Sequence, residues 1–377
     1  MVGRPSAGLG SRNANGLATV LAMILAMILG MILWVGSASG AAPPSGAAPE
    51  SHPAPGPEAD GLGSDSIPFT LRLGARLQVR HLYDSGTERH TTSIRRARLS
   101  MSGTAYDDFS YLIQTGLAGG SARLLDAFVR YTLAPEAVIW AGQGKAPFGR
   151  QQLNSSASLH FVDRTVVDAR FSAGRQQGLA LMGELAGGRA EYGAGIYNGN
   201  GINQSENEND RFMTVGRFVL TPLGSYGPAE SAQDYPSSPR VAVGVSGLRN
   251  TVGQAPDASS LRRINAEGAF KLRGLNMTAE AYREWAEPMG GDERVTDGWY
   301  YQLGYLFPGR RHELAGRYAA ISSDVREVGG DIVESGVAYS YYLRGHPAKV
   351  QADLRNIRDR VLDADRFEFR LQLQLAM

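Results

Sequence analysis

From Phe69 onward the chain alternates apolar and polar residues with a period of two. Leu71, Leu73, Ala75, Leu77 and Val79 interleave with Arg72, Gly74, Arg76, Gln78 and Arg80. On a helix those arginines would scatter around the surface, whereas on a strand they share one face. The last segment repeats the pattern, with Phe367, Phe369, Leu371, Leu373 and Leu375 set against Arg366, Glu368, Arg370, Gln372 and Gln374. Similar runs fall near residues 93–103, 109–117, 124–133, 137–143, 178–186, 190–198, 211–220, 240–249, 262–272, 275–284, 298–307, 312–321, 332–342 and 349–357. The pattern predicts about sixteen strands of roughly ten residues, the length a tilted membrane strand needs.

The connections alternate as well. Short turns are expected at Ala134-Pro135-Glu136, Gly187-Gly188, Arg273-Gly274, Pro308-Gly309 and Gly345-His346-Pro347. Longer polar loops are expected near residues 84–92, 199–210, 250–261, 285–297 and 322–331. Short turns on one rim and long loops on the other is the outer-membrane barrel arrangement. Thr221 to Pro239 breaks that rule, being a long connection on the short-turn side.

A soluble all-β protein would also alternate, but its apolar face would fill a shared core. Here the apolar face carries aromatics suited to membrane boundaries: Tyr83, Tyr131, Trp140, Trp299, Tyr301, Tyr339 and Tyr341. Closure into a barrel would also remove the unpaired strand edges that a bilayer punishes. Met377 keeps the parity of Leu375 and so faces lipid, where such barrels usually end in an aromatic residue.

The first segment changes the picture of where this barrel goes. Arg4 and Arg12 precede an uncharged, mainly apolar run from Leu17 to Val35, followed by Ser37, Ala38, Ser39, Gly40, Ala41 and Ala42. That order is a secretory signal, although the run is also long enough for a spanning helix. Pro43 and Pro44 stop any helix there. The expected organisation is a signal peptide over 1–42, a disordered Pro/Ala/Gly-rich periplasmic linker over 43–67, and a β-barrel over 68–377. The expected location is the outer membrane of a Gram-negative bacterium, in contact with lipid and lipopolysaccharide.

Composition removes several function classes. Cysteine is absent, so neither a disulfide framework nor thiol chemistry can be built. Without Arg4 and Arg12 the 38 basic residues fall to 36 against 37 acidic ones, a net of −1. Global charge therefore argues against a nucleic-acid partner. The six histidines have no metal-ligand spacing, and no cofactor is expected. Gly142-x-Gly144-Lys145 lacks the rest of a phosphate loop and opens no helix. His160 with Asp163 and Ser156 could be drawn as a hydrolase set, but no elbow motif supports it. Glu206-Asn207-Glu208-Asn209-Asp210 reads as a solvated loop before a calcium site.

Several short motifs then fall in order along the first half of the barrel. They are Ile94-Arg95-Arg96-Ala97-Arg98-Leu99, Leu125-Asp126-Ala127-Phe128-Val129, and Gly142-Gln143-Gly144-Lys145-Ala146-Pro147-Phe148-Gly149. Phe161-Val162-Asp163-Arg164, Gly174-Arg175-Gln176-Gln177-Gly178 and Tyr197-Asn198-Gly199-Asn200-Gly201 follow. In these pieces the chain resembles the phosphate-selective porin O and P family, with Gly144 standing where an aromatic is usual. The second half follows by pattern only. The resemblance implies a sixteen-stranded homotrimeric channel, anion-preferring in its best-known members, with an infolded third loop narrowing the pore.

A channel needs no catalytic group; it needs a water-filled path whose charges set the cost of moving an ion. Closure makes the first and last strands neighbours. Parity then gathers Arg72, Arg76, Arg80, Arg96, Arg98, Arg355, Arg366 and Arg370 into one basic wall. Glu267, Glu280 and Glu284 form an acidic lumen face opposite. Either a transverse field results, or the charges pair along the wall and only hydrate it. The segment from Lys145 to Gln177 is too long for an ordinary hairpin. Its Lys145, Arg150, Arg164, Arg170 and Arg175 outnumber Asp163 and Asp168. It is expected to fold inward as the constriction, against the alternative of an external surface loop. Lys145, Lys271 and Lys349 are the only lysines, so a lysine funnel for phosphate is not supported. Arginine can bind phosphate in bidentate fashion, which keeps phosphate among the candidates. The expected function is passive diffusion of small solutes with weak anion preference, not enzymatic catalysis. The alternatives are an outer-membrane barrel enzyme and a plugged structural or adhesive barrel.

Overall fold

The structure is a computed structural model that describes residues 68–377 apart from residue 326. The expected signal peptide and linker lie outside the described residues. The first five strands are β1 (Arg72–Asp84), β2 (Arg89–Ala105), β3 (Phe109–Gly116), β4 (Arg123–Ala134) and β5 (Ala137–Lys145). Two short helices follow, α1 (Arg150–Leu153) and α2 (Val166–Phe171). Then come β6 (Arg175–Leu185), β7 (Ala190–Tyr197), β8 (Met213–Leu220), β9 (Arg240–Val252), β10 (Ser259–Leu272) and β11 (Leu275–Pro288). The chain ends with β12 (Arg294–Leu306), β13 (His312–Ser323), β14 (Asp331–Tyr342), β15 (Ala348–Asp359) and β16 (Ala364–Ala376).

Each strand pairs antiparallel with its chain neighbours, and β1 closes on β16 with Arg76 opposite Ala376 and Asp84 opposite Glu368. The final residue completes the seam: Met377 and Ala75 exchange backbone hydrogen bonds of 2.9 and 2.8 Å. The alternation sets which way each face looks. On β16, Leu371, Leu373 and Leu375 are exposed at 42, 54 and 48%, while Arg370, Gln372 and Gln374 are sealed inside. Leucines outside and arginine inside is the reverse of a soluble barrel, and it suits a shell bathed in lipid.

Aromatic side chains collect toward the ends of that shell. Phe109 packs on Tyr131, Tyr305 on Phe307, and His312 on Tyr339 and Tyr341, all beside short turns. Tyr83 packs on His90 next to the first loop. Trp299, Tyr301 and Tyr318 stack together on the outer surface. Trp140 corrects the expectation. It points inward, almost fully buried, against Phe128 and Tyr197. In β5 both faces are apolar, so alternation could not say which one looked out. The neighbouring Gly144 fits this placement: a Cβ there would lie 2.9 Å from the Trp140 ring.

The strands reach further into the long loops than the apolar alternation does. The expected loops at 84–92, 250–261 and 285–297 shorten to 85–88, 253–258 and 289–293. A hydrogen-bonded ladder needs no apolar partner once it leaves the membrane. The cross-strand charge pair of Arg283 with Asp297 accompanies it there.

Candidate functional site

The long connection between β5 and β6 is not a surface loop. Its apolar residues Phe148, Leu159, Phe161, Val162, Val167 and Phe171 are all buried. Phe148, Val167 and Phe171 cluster with inward-facing residues of distant strands, among them Tyr282 of β11, Tyr300 of β12 and Ile321 of β13, and Phe161 packs with Ala315 and Ala338. Gly149 opens the segment at φ 73°, and a Cβ there would lie 2.5 Å from the Tyr282 hydroxyl. The barrel therefore holds a small apolar core beneath this loop.

Polar contacts fasten the loop to the wall strand by strand. The Arg150 and Gln151 backbone amides donate to Glu280 at 2.7 and 2.8 Å, and Tyr282 and Tyr300 donate to the same carboxylate. Arg150 pairs with Glu267 at 3.1 Å, and Arg170 pairs with Glu284 at 2.5 Å. The Val166 amide donates to Glu334 of β14 and the Val162 amide to Asp353 of β15. Gln351 and Lys349 donate to the Leu159 carbonyl, and Gln374 to that of Ala157. Backbone donors that no helix or sheet satisfies thus find wall carboxylates, as buried amides must.

Asp163 is the loop's hub on the basic side. Arg80 reaches it at 2.9 Å, Arg95 at 2.8 Å, Arg96 at 3.1 Å and Arg370 at 3.5 Å. Burial pushes the Asp163 carboxyl up, but the Arg95, Arg96 and Arg370 guanidiniums outweigh this and hold it far below the usual carboxylate range. Asp168 has the opposite fate. It is buried in α2 behind its Thr165 cap, and burial raises it to about 7, with Arg164 opposing and Glu280 adding to the rise.

The structure divides the expected basic wall. Arg80, Arg96 and Arg370 converge on Asp163, and Arg370 also bonds Asp353 at 2.6 Å. Arg355 and Arg366 pair with Glu368 at 2.8 and 3.2 Å. Arg72 is exposed at the start of β1, far along the barrel from Arg366 at the start of β16. Arg76 donates to the Ser156 hydroxyl at 3.2 Å and Arg98 to the side-chain amide oxygen of Gln114 at 3.3 Å. Both lie within electrostatic range of Arg175. The acidic residues Glu267, Glu280 and Glu284 are occupied by the loop, with Arg217 and Arg263 as further partners. Within the loop, Lys145 donates to the Leu153 and Asn154 carbonyls, and Arg164 to those of Gln151, Gln152 and Asn154. Arg175 pairs with Asp126 at 2.8 Å.

Sequence reasoning missed Arg95. Strict alternation would turn it outward beside Arg96, but β2 carries a bulge opposite Gln78 and Val79. A bulge places two consecutive residues against one and re-aims a side chain. The Arg95-Arg96 doublet was the available signal. The residues once drawn as a hydrolase set have other partners. Ser156 accepts from Arg76, Asp163 accepts from arginines, and His160 lies between Gln302, Glu230 and Glu313.

A closed sixteen-stranded barrel, apolar outside and charged within, with its β5–β6 connection packed on inward-facing wall residues, defines a porin-type protein of the bacterial outer membrane. The chain belongs to the phosphate-selective porin O and P family, whose sequence profile matches residues 69–353 and so spans both halves of the barrel. No curated protein matches it. Among solved structures it is similar in fold to an anion-selective porin from Comamonas acidovorans, with a TM-score of 0.62 at 9% identity over 82% of this chain and 100% of that one. The outer-membrane channel DcaP of Acinetobacter baumannii gives 0.60 at 11% identity over 85% of this chain and 100% of the other. The outer-membrane protein OmpT of Vibrio cholerae, in a trimer form, gives 0.56 at 10% identity over 82% and 99%.

Proposed function

We propose that the protein is a passive channel for small hydrophilic solutes, weakly anion-preferring, with phosphate among its candidate solutes. The observation that carries this reading is the pair Arg76 and Arg98. Among the described residues their hydrogen bonds go to neutral oxygens, so their charge is available to a passing anion. Most other lumen arginines are matched to carboxylates and contribute little net field. A weak preference follows from two such half-buried arginines more readily than a strong one. The anion-selective porin of similar fold agrees with this direction. The trimeric neighbour likewise supports a homotrimer. The outer face would meet lipid, and the long loops would meet lipopolysaccharide.

Reversal potentials in a potassium chloride gradient test the reading. The parent should favour chloride, and Arg76→Ala with Arg98→Ala should move the potential toward zero or to cation preference. A cation preference already present in the parent would contradict it. A plugged barrel without conductance is the second reading, favoured by how completely the lumen faces of Glu267, Gln302, Glu334 and Gln374 are buried.

A further inference from the structure

The connection between β8 and β9, residues 221–239, mixes exposed residues with fully buried ones. Tyr226, Glu230, Ser231 and Ala232 are all at or below 4% exposure. A turn lying in the periplasm would have no such residues. Instead, the segment rises into the mouth of the barrel. Tyr226 packs with Val219, Ala242 and Ala269, and its ring sits under Arg150 at 4.9 Å and Lys271 at 4.6 Å. Glu230 then meets the constriction loop from below. It accepts from the His160 amide at 2.8 Å and from the Gln151 side chain at 3.0 Å, and its own amide donates to the Ser158 carbonyl at 3.1 Å. Its other end crosses to the turns of other hairpins, where the Arg273 amide donates to the Pro236 carbonyl at 2.8 Å.

The geometry points to an internal strap: residues 221–239 close the periplasmic mouth on the β9–β15 side and hold the constriction loop through Glu230, so solute leaves along the β2–β4 wall. This rests on the channel reading and says which half of the lumen carries it. Exposure on the two halves agrees. Ser340 near the turn end of β14 is 1% exposed and lies beside Tyr342, whose hydroxyl also meets Ser231 of the strap. Ser110 near the turn end of β3, and Gln114 beyond it, remain partly open. Glu230 is a positioning residue, since it touches the loop and not the solute.

The chain has no cysteine, so single thiols can be introduced cleanly. Ser110→Cys and Ser340→Cys place one near the turn end of β3 and one near the turn end of β14 in the full-length protein, in detergent or vesicles. With a small water-soluble thiol reagent, Ser340→Cys should react roughly tenfold or more slowly than Ser110→Cys, because it must wait for a local opening. Adding Glu230→Ala to Ser340→Cys should raise its rate by about the same factor. Equal rates at Ser110→Cys and Ser340→Cys would overturn the strap while leaving the channel reading in place. A Ser340→Cys rate unmoved by Glu230→Ala would overturn the role of Glu230 in it. An unlabelled protein that conducts no current would overturn the channel reading itself, and the exit route with it.

Discussion

Asp163 and Asp168 belong to the same loop yet are held at opposite ends of the carboxylate range. The difference is the company each keeps. Asp163 compensates a cluster of guanidiniums, whereas Asp168 is buried with one of its oxygens lacking a hydrogen-bond partner among the described residues. Removing one partner of a buried pair strands the others, at a typical cost of about 3–5 kcal/mol. Asp163→Asn is therefore expected to loosen the loop and increase anion preference, read as noisier single-channel current and a larger reversal potential. For Asp168 the sign follows from linkage. The folded protein keeps the Asp168 proton up to about pH 7. An unfolded chain gives up such a proton near pH 4, around the ordinary aspartate value. Between those values the folded state binds more protons, so stability falls as pH rises. Asp168→Asn should thus raise the melting temperature by a few degrees near pH 8 and leave it unchanged near pH 4. An equal shift at both pH values would contradict the burial argument.

At the scale of elements, strands were legible and internal packing was not. Alternation is a local property, so β1 and β16 can be read directly from their leucines and arginines. All sixteen strands fall where their runs predict. Trp140 shows where this fails: in Val138-Ile139-Trp140-Ala141 neither face is polar, and only the distant Tyr197 decides the matter. The same holds for Arg95, whose direction depends on the register against β1. In the constriction loop, the basic residues were readable but their partners were not, since Glu267, Glu280 and Glu284 meet them only after the barrel closes. Phe148, Phe161 and Phe171 were a usable sign, because a loop facing water has little use for three phenylalanines. Deleting Ser155 to Ala169 removes Asp163, Phe161 and the Val162 and Val166 amides that reach Asp353 and Glu334. Single-channel conductance should then rise by about twofold or more, as pore width dictates. An unchanged conductance would place the narrowest point elsewhere.

The whole molecule reverses the usual rule of burial. Leu73, Leu77 and Leu373 are exposed around the outside, while Arg370, Glu334 and Lys349 are sealed within. That arrangement is stable only if lipid covers the leucines and water or internal partners satisfy the charges. The barrel topology was legible because closure joins two ends whose patterns match. The strap at 221–239 was visible only as a connection too long for its rim, since its burial depends on contacts with both the third loop and the far wall. The most direct test of the account is insertion of the purified full-length protein into a planar lipid bilayer in a salt gradient. Discrete conductance steps with a reversal potential on the anion side are predicted. A protein that stays soluble without detergent and produces no steps would contradict it.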